Sequence, residues 1–173
     1  IITDRFDEFI NPGFHIPDNI TALTEISDDM VSSADTEENV TKRFLEWTGD
    51  LPMVAHNAKF DISFIEMAMK KYNLGKFTNA VIDTLELSRS LDRGFARHSL
   101  SALVKRYNVP FDEESHHRAD YDAEGTALVF NKMISKLENE KIYNVNELQN
   151  LVSKEELFKF GRTYHFNAIA KDR

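Results

Sequence analysis

The chain has 173 residues, a formal net charge of −8 and no cysteine. That length suits one ordinary domain with its own core, while the lack of cysteine excludes disulfides, thiolate nucleophiles and sulfur-ligated metals and suits a reducing cytoplasm. No apolar run reaches membrane length, the opening residues do not read as a signal peptide, and the acidic balance predicts that any nucleic acid is held locally, by metal ions or by a neighbouring domain.

From Asp4 to Ile10 apolar and polar residues alternate, and Asn11-Pro12-Gly13 follows; the pattern predicts a half-buried strand closed by a turn. Residues 14–34 read as irregular chain with short helical turns. Asp35 and Glu38 form a capping-box pattern, with Asp35 as the cap. The helix after it is expected to bury Val40, Phe44 and Trp47 and to stop at Gly49. Leu51 to Ala55 is a short apolar strand entered through Pro52. His56-Asn57-Ala58-Lys59 makes a tight junction into a second helix, with Phe60, Phe64, Met67 and Ala68 on one face, as far as Tyr72. Ala80-Val81-Ile82 is another strand, and Asp83-Thr84 is placed to cap the next helix. Ser99 caps a helix carrying Leu100, Leu103, Val104 and Tyr107. The longest helix runs from Arg118 to about Lys136, with Ala119, Ala123, Ala127, Phe130, Met133, Ile134 and Leu137 inward. Strand-to-helix alternation predicts an α/β layered domain. A polar stretch at Glu138-Asn139-Glu140-Lys141 marks a boundary. Beyond it a helix is expected over 146–159, a turn at Gly161-Arg162 and a strand from Tyr164 to Ala170. That tail is too short for a core of its own, which predicts that it belongs to something larger.

Two stretches carry candidate chemistry. Asp61 lies in the first turn of the second helix, where the helix dipole favours an ionised carboxylate. By itself such a residue only stabilises a helix N-terminus. Asp122 lies in the longest helix among the small residues Ala119, Ala123 and Gly125, with His117 just before it. By themselves these are a solvated loop histidine and an exposed helical carboxylate. Together, two early-helix carboxylates at the same end of an α/β layer suit Mg²⁺ or Mn²⁺, which prefer oxygen ligands and keep waters. A neutral histidine beside a metal-bound water has the right basicity for a general base. Two such ions would clamp an in-line phosphoryl displacement. Zinc is disfavoured, because the sequence has no compact His/Cys cluster.

His56-Asn57-Ala58-Lys59-Phe60-Asp61 followed by His117-Arg118-Ala119-Asp120-Tyr121-Asp122 resembles the second and third motifs of the DEDDh 3′→5′ exonucleases, of ribonuclease H-like fold. Asp83-Thr84-Leu85-Glu86-Leu87-Ser88-Arg89, Ser99-Leu100-Ser101-Ala102-Leu103 and Ile20 to Ile26 resemble further segments of that family, over roughly residues 1–138. Within it the sequence is similar to exonuclease domains of PolC-type bacterial replicative polymerases. Residues 143–148 and 160–171 resemble the chain that re-enters the PHP domain there, so His165 is left out of the nuclease site. The resemblance implies a proofreading nuclease acting on single-stranded or frayed 3′ DNA ends and releasing nucleoside 5′-monophosphates. It implies Asp61 and Asp122 as metal ligands and His117, not His116, as general base. It assigns lesser, substrate-side roles to Leu23, Thr24, His56, Asn57, Phe60 and Asp83. The residues themselves leave Asp83 as a helix cap, Leu23 as either base contact or core, and Phe60 and Phe64 as core.

The family's first motif, Asp-x-Glu on a central strand, is expected N-terminal to Ile1. Asp35-Thr36-Glu37 has the letters but begins a helix, after the first matched segments, and Asp122-Ala123-Glu124 is likewise rejected. The expectation is therefore a ribonuclease H-like mixed sheet flanked by helices and lacking its first two strands. The nuclease would occupy 1–138, and 139–173 would be a linker and the start of a PHP-like segment. Such a fragment is expected to be inactive alone within an active parent. The alternative is a non-catalytic nucleic-acid or partner-binding module of the same fold.

Overall fold

Two pairs of parallel strands carry the fold in the computed structural model, which describes residues 2–110, 119–144, 147 and 148. In the first pair, β1 (Ile10–Asn11) lies beside β2 (Asp35–Thr36), with Ile10 opposite Asp35. Two short helices, α1 (Asp18–Thr24) and α2 (Asp28–Val31), fill the connection, as the irregular segment predicted. The strand expected over 4–10 is reduced to its last residue. Alternation makes a strand only where a neighbour takes the backbone bonds, and residues 4–9 are anchored by side chains instead. The Phe6 ring packs 5.6 Å from Phe44 and 5.7 Å from Trp47. Trp47 Nε1 donates to Asp4 Oδ2 at 2.7 Å, Arg43 pairs with Glu8, and Arg5 pairs with Glu124 at 2.7 Å.

Helix α3 (Glu37–Thr48) begins one residue later than the capping-box pattern suggested. Thr36 is the cap, and its Oγ1 accepts from Asn39 N at 3.3 Å. Asp35 instead accepts from Thr36 N, Asn39 Nδ2 and Arg43 Nη1 at 2.7–2.8 Å. Arg43 above all, then Asn39 and the Thr36 amide, hold its carboxyl down at about 2. Val40 is buried as expected, Phe44 only partly, and Trp47 is exposed, its indole lying across the outer cluster with Phe6. Gly49, at φ 49°, ends the helix and donates to Leu45 O.

The second pair is β3 (Met53–Ala55) and β4 (Val81–Asp83), joined through α4 (Ala58–Lys71) in a strand–helix–strand unit. Met53 lies opposite Val81 and Ala55 opposite Asp83, so both strands end at one level. Helices α5 (Thr84–Leu91), α6 (Leu100–Arg106) and α7 (Ala119–Asn139) complete the described fold, and Asp83 and Ser99 cap α5 and α6 as predicted. The main core joins Ile82 and Leu87 to Leu103 of α6 and to Val129, Met133 and Leu137 of α7. Burying each such side chain contributes about 1.5–3 kcal/mol. Ile142 and Leu148 fold back onto this same core. The helix expected over 146–159 is described only at Glu147 and Leu148, and the turn and strand expected after it lie outside the described residues.

Two helix faces differ from the expected ones. In α4 the buried residues are Ala58, Ile62, Ala68 and Met69, while Phe60 and Phe64 are 61% and 57% exposed and Met67 is exposed too. The helix carries two apolar stripes at helical spacing, and periodicity alone does not say which meets the sheet. In α7, Phe130, Met133, Ile134 and Leu137 are buried as predicted, with Gly125, Thr126 and Val129, but Ala119 and Ala123 are exposed. The larger apolar side chains set that helix's rotation, which puts Asp122 on the inward stripe, one turn before Thr126. None of the described helices is long and apolar enough to cross a membrane.

Candidate active site at the carboxyl ends of β3 and β4

In open parallel sheets, ligands bind in the crevice beyond the carboxyl ends of the strands. Here β3 and β4 finish side by side, and the chain must turn at once into α4 and α5. Asn57 makes the first turn at φ 65°, a left-handed conformation that asparagine tolerates. Asp83, 5% exposed, secures both turns. Its Oδ1 accepts from Asn57 N at 3.0 Å and from Leu85 N at 2.9 Å, and its Oδ2 accepts from Ala58 N at 3.0 Å. One carboxylate thus satisfies first-turn amides of two helices, which are left orphaned by helix geometry.

Asp61 stands one turn into α4. Although the residue is exposed overall, protein packed around its carboxyl raises it above the usual carboxylate range, its own backbone amide opposes this, and Asp83 and Asp122 raise it further. Asp122, partly buried in the first turn of α7, therefore lies within the electrostatic reach of Asp61 across the end of the sheet. His56, partly buried, stands at the carboxyl end of β3. Burial is the main effect and holds its imidazole below the ordinary histidine value, against Asp83, the His98 main chain and Asp122. Its Nδ1 lies 3.0 Å from Thr84 Oγ1, and that hydroxyl also lies 3.2 Å from Ala55 O.

The fold therefore brings together His56, Asn57, Asp61, Asp83 and Asp122 among the residues singled out from sequence. His116 and His117 lie outside the described residues. Leu23 is exposed on α1, not in the core, and Thr24 Oγ1 bonds Ile20 O at 2.9 Å within that helix. Phe60 and Phe64 are not core either; they form an exposed edge-to-face pair with centroids 5.0 Å apart. Sequence reasoning missed Thr84 as a partner of His56. It also missed His98, whose ring lies 2.9 Å from Ser88 Oγ and 2.9 Å from Phe95 O. No spacing rule signals the His56–Thr84 or the His98–Ser88 contact, since each joins different elements of the fold.

The donor types here are those that a hard cation prefers. A carboxylate whose charge is disfavoured by its packing and by two neighbouring aspartates suits a hard divalent ion in donor type. Among the described residues no group of three or more His, Asp or Glu side chains is close enough to hold an ion by itself. Asp61 and Asp122 fit as two of its ligands, with water or further carboxylates completing the set.

The model of the RNase_T family, described as exonuclease, matches residues 1–130. The chain belongs to this exonuclease family. It is 40% identical over 172 residues to the DNA polymerase III PolC-type of Staphylococcus aureus, and equally so to that of strain MW2. The match covers 99% of this chain and 12% of those relatives, so the chain spans about an eighth of their length. A solved structure of exonuclease X in complex with 5′ overhanging duplex DNA superposes with a TM-score of 0.59, covering 83% of this chain and 78% of that one at 24% identity. That likeness shows the fold, which agrees with the α/β, ribonuclease H-like class read from the sequence.

Proposed function

We propose that this exonuclease chain works as the proofreading unit of a PolC-type replicative polymerase in the cytoplasm, removing mispaired nucleotides from single-stranded or frayed 3′ DNA ends. Residues 1–138 form the nuclease unit, and 139–173 lead into a PHP-like segment and the other domains of the parent. The observation that supports the reading is the placing of Asp61 just beyond the aligned carboxyl ends of β3 and β4, within electrostatic reach of Asp83 and Asp122. The 40% identity to PolC-type polymerases supports the choice of parent.

Asp61 and Asp122 would hold Mg²⁺ or Mn²⁺, together with the Asp-x-Glu pair expected upstream. When bound, such ions supply charge stabilisation for the scissile phosphate and its attacking and leaving oxygens. His117 takes the proton of the attacking water. The water's oxygen bonds to phosphorus, the bond from phosphorus to the 3′ oxygen of the preceding nucleotide breaks, and that oxygen is reprotonated as the nucleoside 5′-monophosphate leaves. Asp83 fixes the turns that present Asp61, and His56 and Asn57 shape the same rim. Leu23 and Phe60, both exposed, are the apolar groups assigned to the terminal nucleotide, with Thr24 next to Leu23. A mismatched end frays at lower cost, which favours its entry.

The test is release of 5′-monophosphates from single-stranded DNA with Mg²⁺ or Mn²⁺, by the chain alone and by the chain carrying its upstream parental residues. Cleavage by the extended chain, abolished in Asp122→Asn, supports the reading. A folded, extended chain that binds no metal and cuts nothing would overturn it in favour of a non-catalytic binding module.

A further inference from the structure

Helix α1, which carries Leu23 and Thr24, has no buried residue. A helix this short is not stable by itself in water, so its place is set from its ends. Its far end is fixed by Glu25, at φ 61°, whose amide donates to Thr21 O at 2.8 Å as the chain turns toward α2. Helix α2 is anchored to the body of the fold. Val31 is buried, and Asn11 Nδ2 donates to Ser32 O at 3.1 Å just beyond it. From the start of α2, Asp28 reaches back to the chain ahead of α1. Its Oδ1 accepts from Ile16 N at 2.8 Å, and its Oδ2 accepts from His15 Nδ1 at 2.5 Å. One carboxylate thus closes the chain from His15 to Asp28 into a loop with α1 inside it, and its bonds offset the entropy of that closure. The Ile16 amide first, and then the His15 ring, favour the ionised form of Asp28. His15 in turn is favoured as imidazolium by Asp28 and, less strongly, by Asp18 on α1. The pair is exposed, so its charge attraction alone is weak. The brace works because the amide bond and the ring bond act on two adjacent residues at once.

We propose that Asp28, with His15, is a positioning residue of the nuclease, which holds α1 where Leu23 and Thr24 meet the terminal nucleotide without touching the DNA itself. The inference rests on the nuclease reading, which puts those two residues on the substrate side. Loss of the brace releases α1 and weakens binding of the 3′ end. Asp61 and Asp122 stand on other helices, α4 and α7, and keep their places. The effect therefore falls on KM and spares kcat, as the loss of uniform binding does.

The experiment uses the chain with its upstream parental residues, as wild type, Asp28→Ala, Asp28→Asn, His15→Ala and His15→Arg. Amide hydrogen exchange at Ile20, Thr21 and Glu25, whose N–H groups bond within α1 and its ends, reads the brace without any activity. In Asp28→Ala exchange there should be at least about tenfold faster, with Ile82 and Leu87 in the core unchanged. Steady-state cleavage of single-stranded DNA with Mg²⁺ should show KM raised about three- to tenfold and kcat within about twofold. Asp28→Asn and His15→Ala each keep one of the two bonds and should fall between. His15→Arg keeps a donor of fixed charge and should match wild type at neutral pH. Its KM should stay level as pH rises through the folded pKa of His15, where that of wild type climbs. Exchange in α1 as slow in Asp28→Ala as in wild type overturns the brace, whatever the activity. Faster exchange with KM unchanged, or with a loss confined to kcat, overturns its role toward the substrate and leaves the nuclease reading standing. No cleavage by folded wild type counts against the nuclease reading, and the role toward the substrate falls with it, while the exchange result still decides whether Asp28 holds α1.

Discussion

Asp83 holds Asn57 in place from the neighbouring strand, with its carboxylate also on the amides of Ala58 and Leu85. Three backbone donors, two of them from the other strand's turn, depend on this one side chain. Replacing it leaves them without partners in a buried place. Each charge-assisted bond of this kind is worth about 1.5–3 kcal/mol, with incomplete additivity. Asp83→Ala is expected to cost about 3–4 kcal/mol and lower Tm by roughly 10 °C for a chain of this size. Asp83→Asn should recover less than half of this, because its amide nitrogen is itself a donor and would face an N–H. Thermal and urea unfolding of both variants checks this; a loss below about 1 kcal/mol for Asp83→Ala would show that the turns hold without the brace.

Asp61 carries a charge that its surroundings disfavour, through packing and through Asp83 and Asp122. Its folded pKa is raised, so the ionised carboxylate costs stability above that pKa and the cost vanishes below the unfolded value. Asp61→Asn is therefore expected to raise Tm at neutral pH in the absence of divalent ions, while cleavage falls roughly a hundredfold or more, a trade typical of functional sites. Mg²⁺ should raise the Tm of wild type and do less for the variant. Differential scanning fluorimetry with and without Mg²⁺ reads both; an identical Mg²⁺ response would remove Asp61 from the ion's ligands. His117→Ala is expected to slow cleavage by roughly 10²–10⁴ while leaving the Mg²⁺ shift intact.

His56 is held neutral by burial, below the ordinary value near 6.5. A histidine with a lowered folded pKa contributes stability above its unfolded pKa and loses it as pH falls through the folded one. Exposed His15 works the other way, since Asp28 raises it, and its contribution is lost as pH rises through its folded pKa. Stability from His56 should thus weaken as pH falls from about 6.5, and His56→Gln should flatten that part of the profile. The direct measurement is an NMR titration of the His56 ring; a midpoint at or above 6.5 would contradict the burial argument.

Asp92 is the buried anion of the α5–α6 loop. Burial alone would raise it, but Lys136, Arg106 and Tyr107 together hold its carboxyl below the ordinary range. Its stabilisation is then present above the unfolded pKa near 3.9 and lost as pH falls through the lower folded value. Asp92→Asn is expected to cost about 2–3 kcal/mol at pH 7, less than a fully buried pair because Lys136 reaches solvent. As pH falls through that lowered folded value the variant and wild type should converge. Guanidinium unfolding across pH 2.5–7 tests it, and a constant gap at every pH would assign the loss to packing.

Much of the candidate site was legible because its pieces are local. The junctions at His56-Asn57 and Asp83-Thr84, the Ser99 cap and the first-turn place of Asp61 all follow from short-range rules of turns and helix ends, which involve only neighbouring residues. The motif pair also pointed to the exonuclease family, which the match over residues 1–130 bears out. The strand at 4–10 did not form as read, because strand identity depends on a neighbour and alternation records only one side of that pair.

What the sequence by itself determined was the local grammar: where helices start, where strands end and which residue types stand at the ends. Only the tertiary structure decided which stripe of α4 faced the sheet, so that Phe60 and Phe64 lie outside while Ile62 and Met69 lie within. It likewise decided that Asp83 serves two turns and that Asp61 lies within reach of the Asp122 charge. Each is a contact between segments far apart in the chain, and such contacts are selected by the summed packing of the whole core, a quantity that no window of sequence contains.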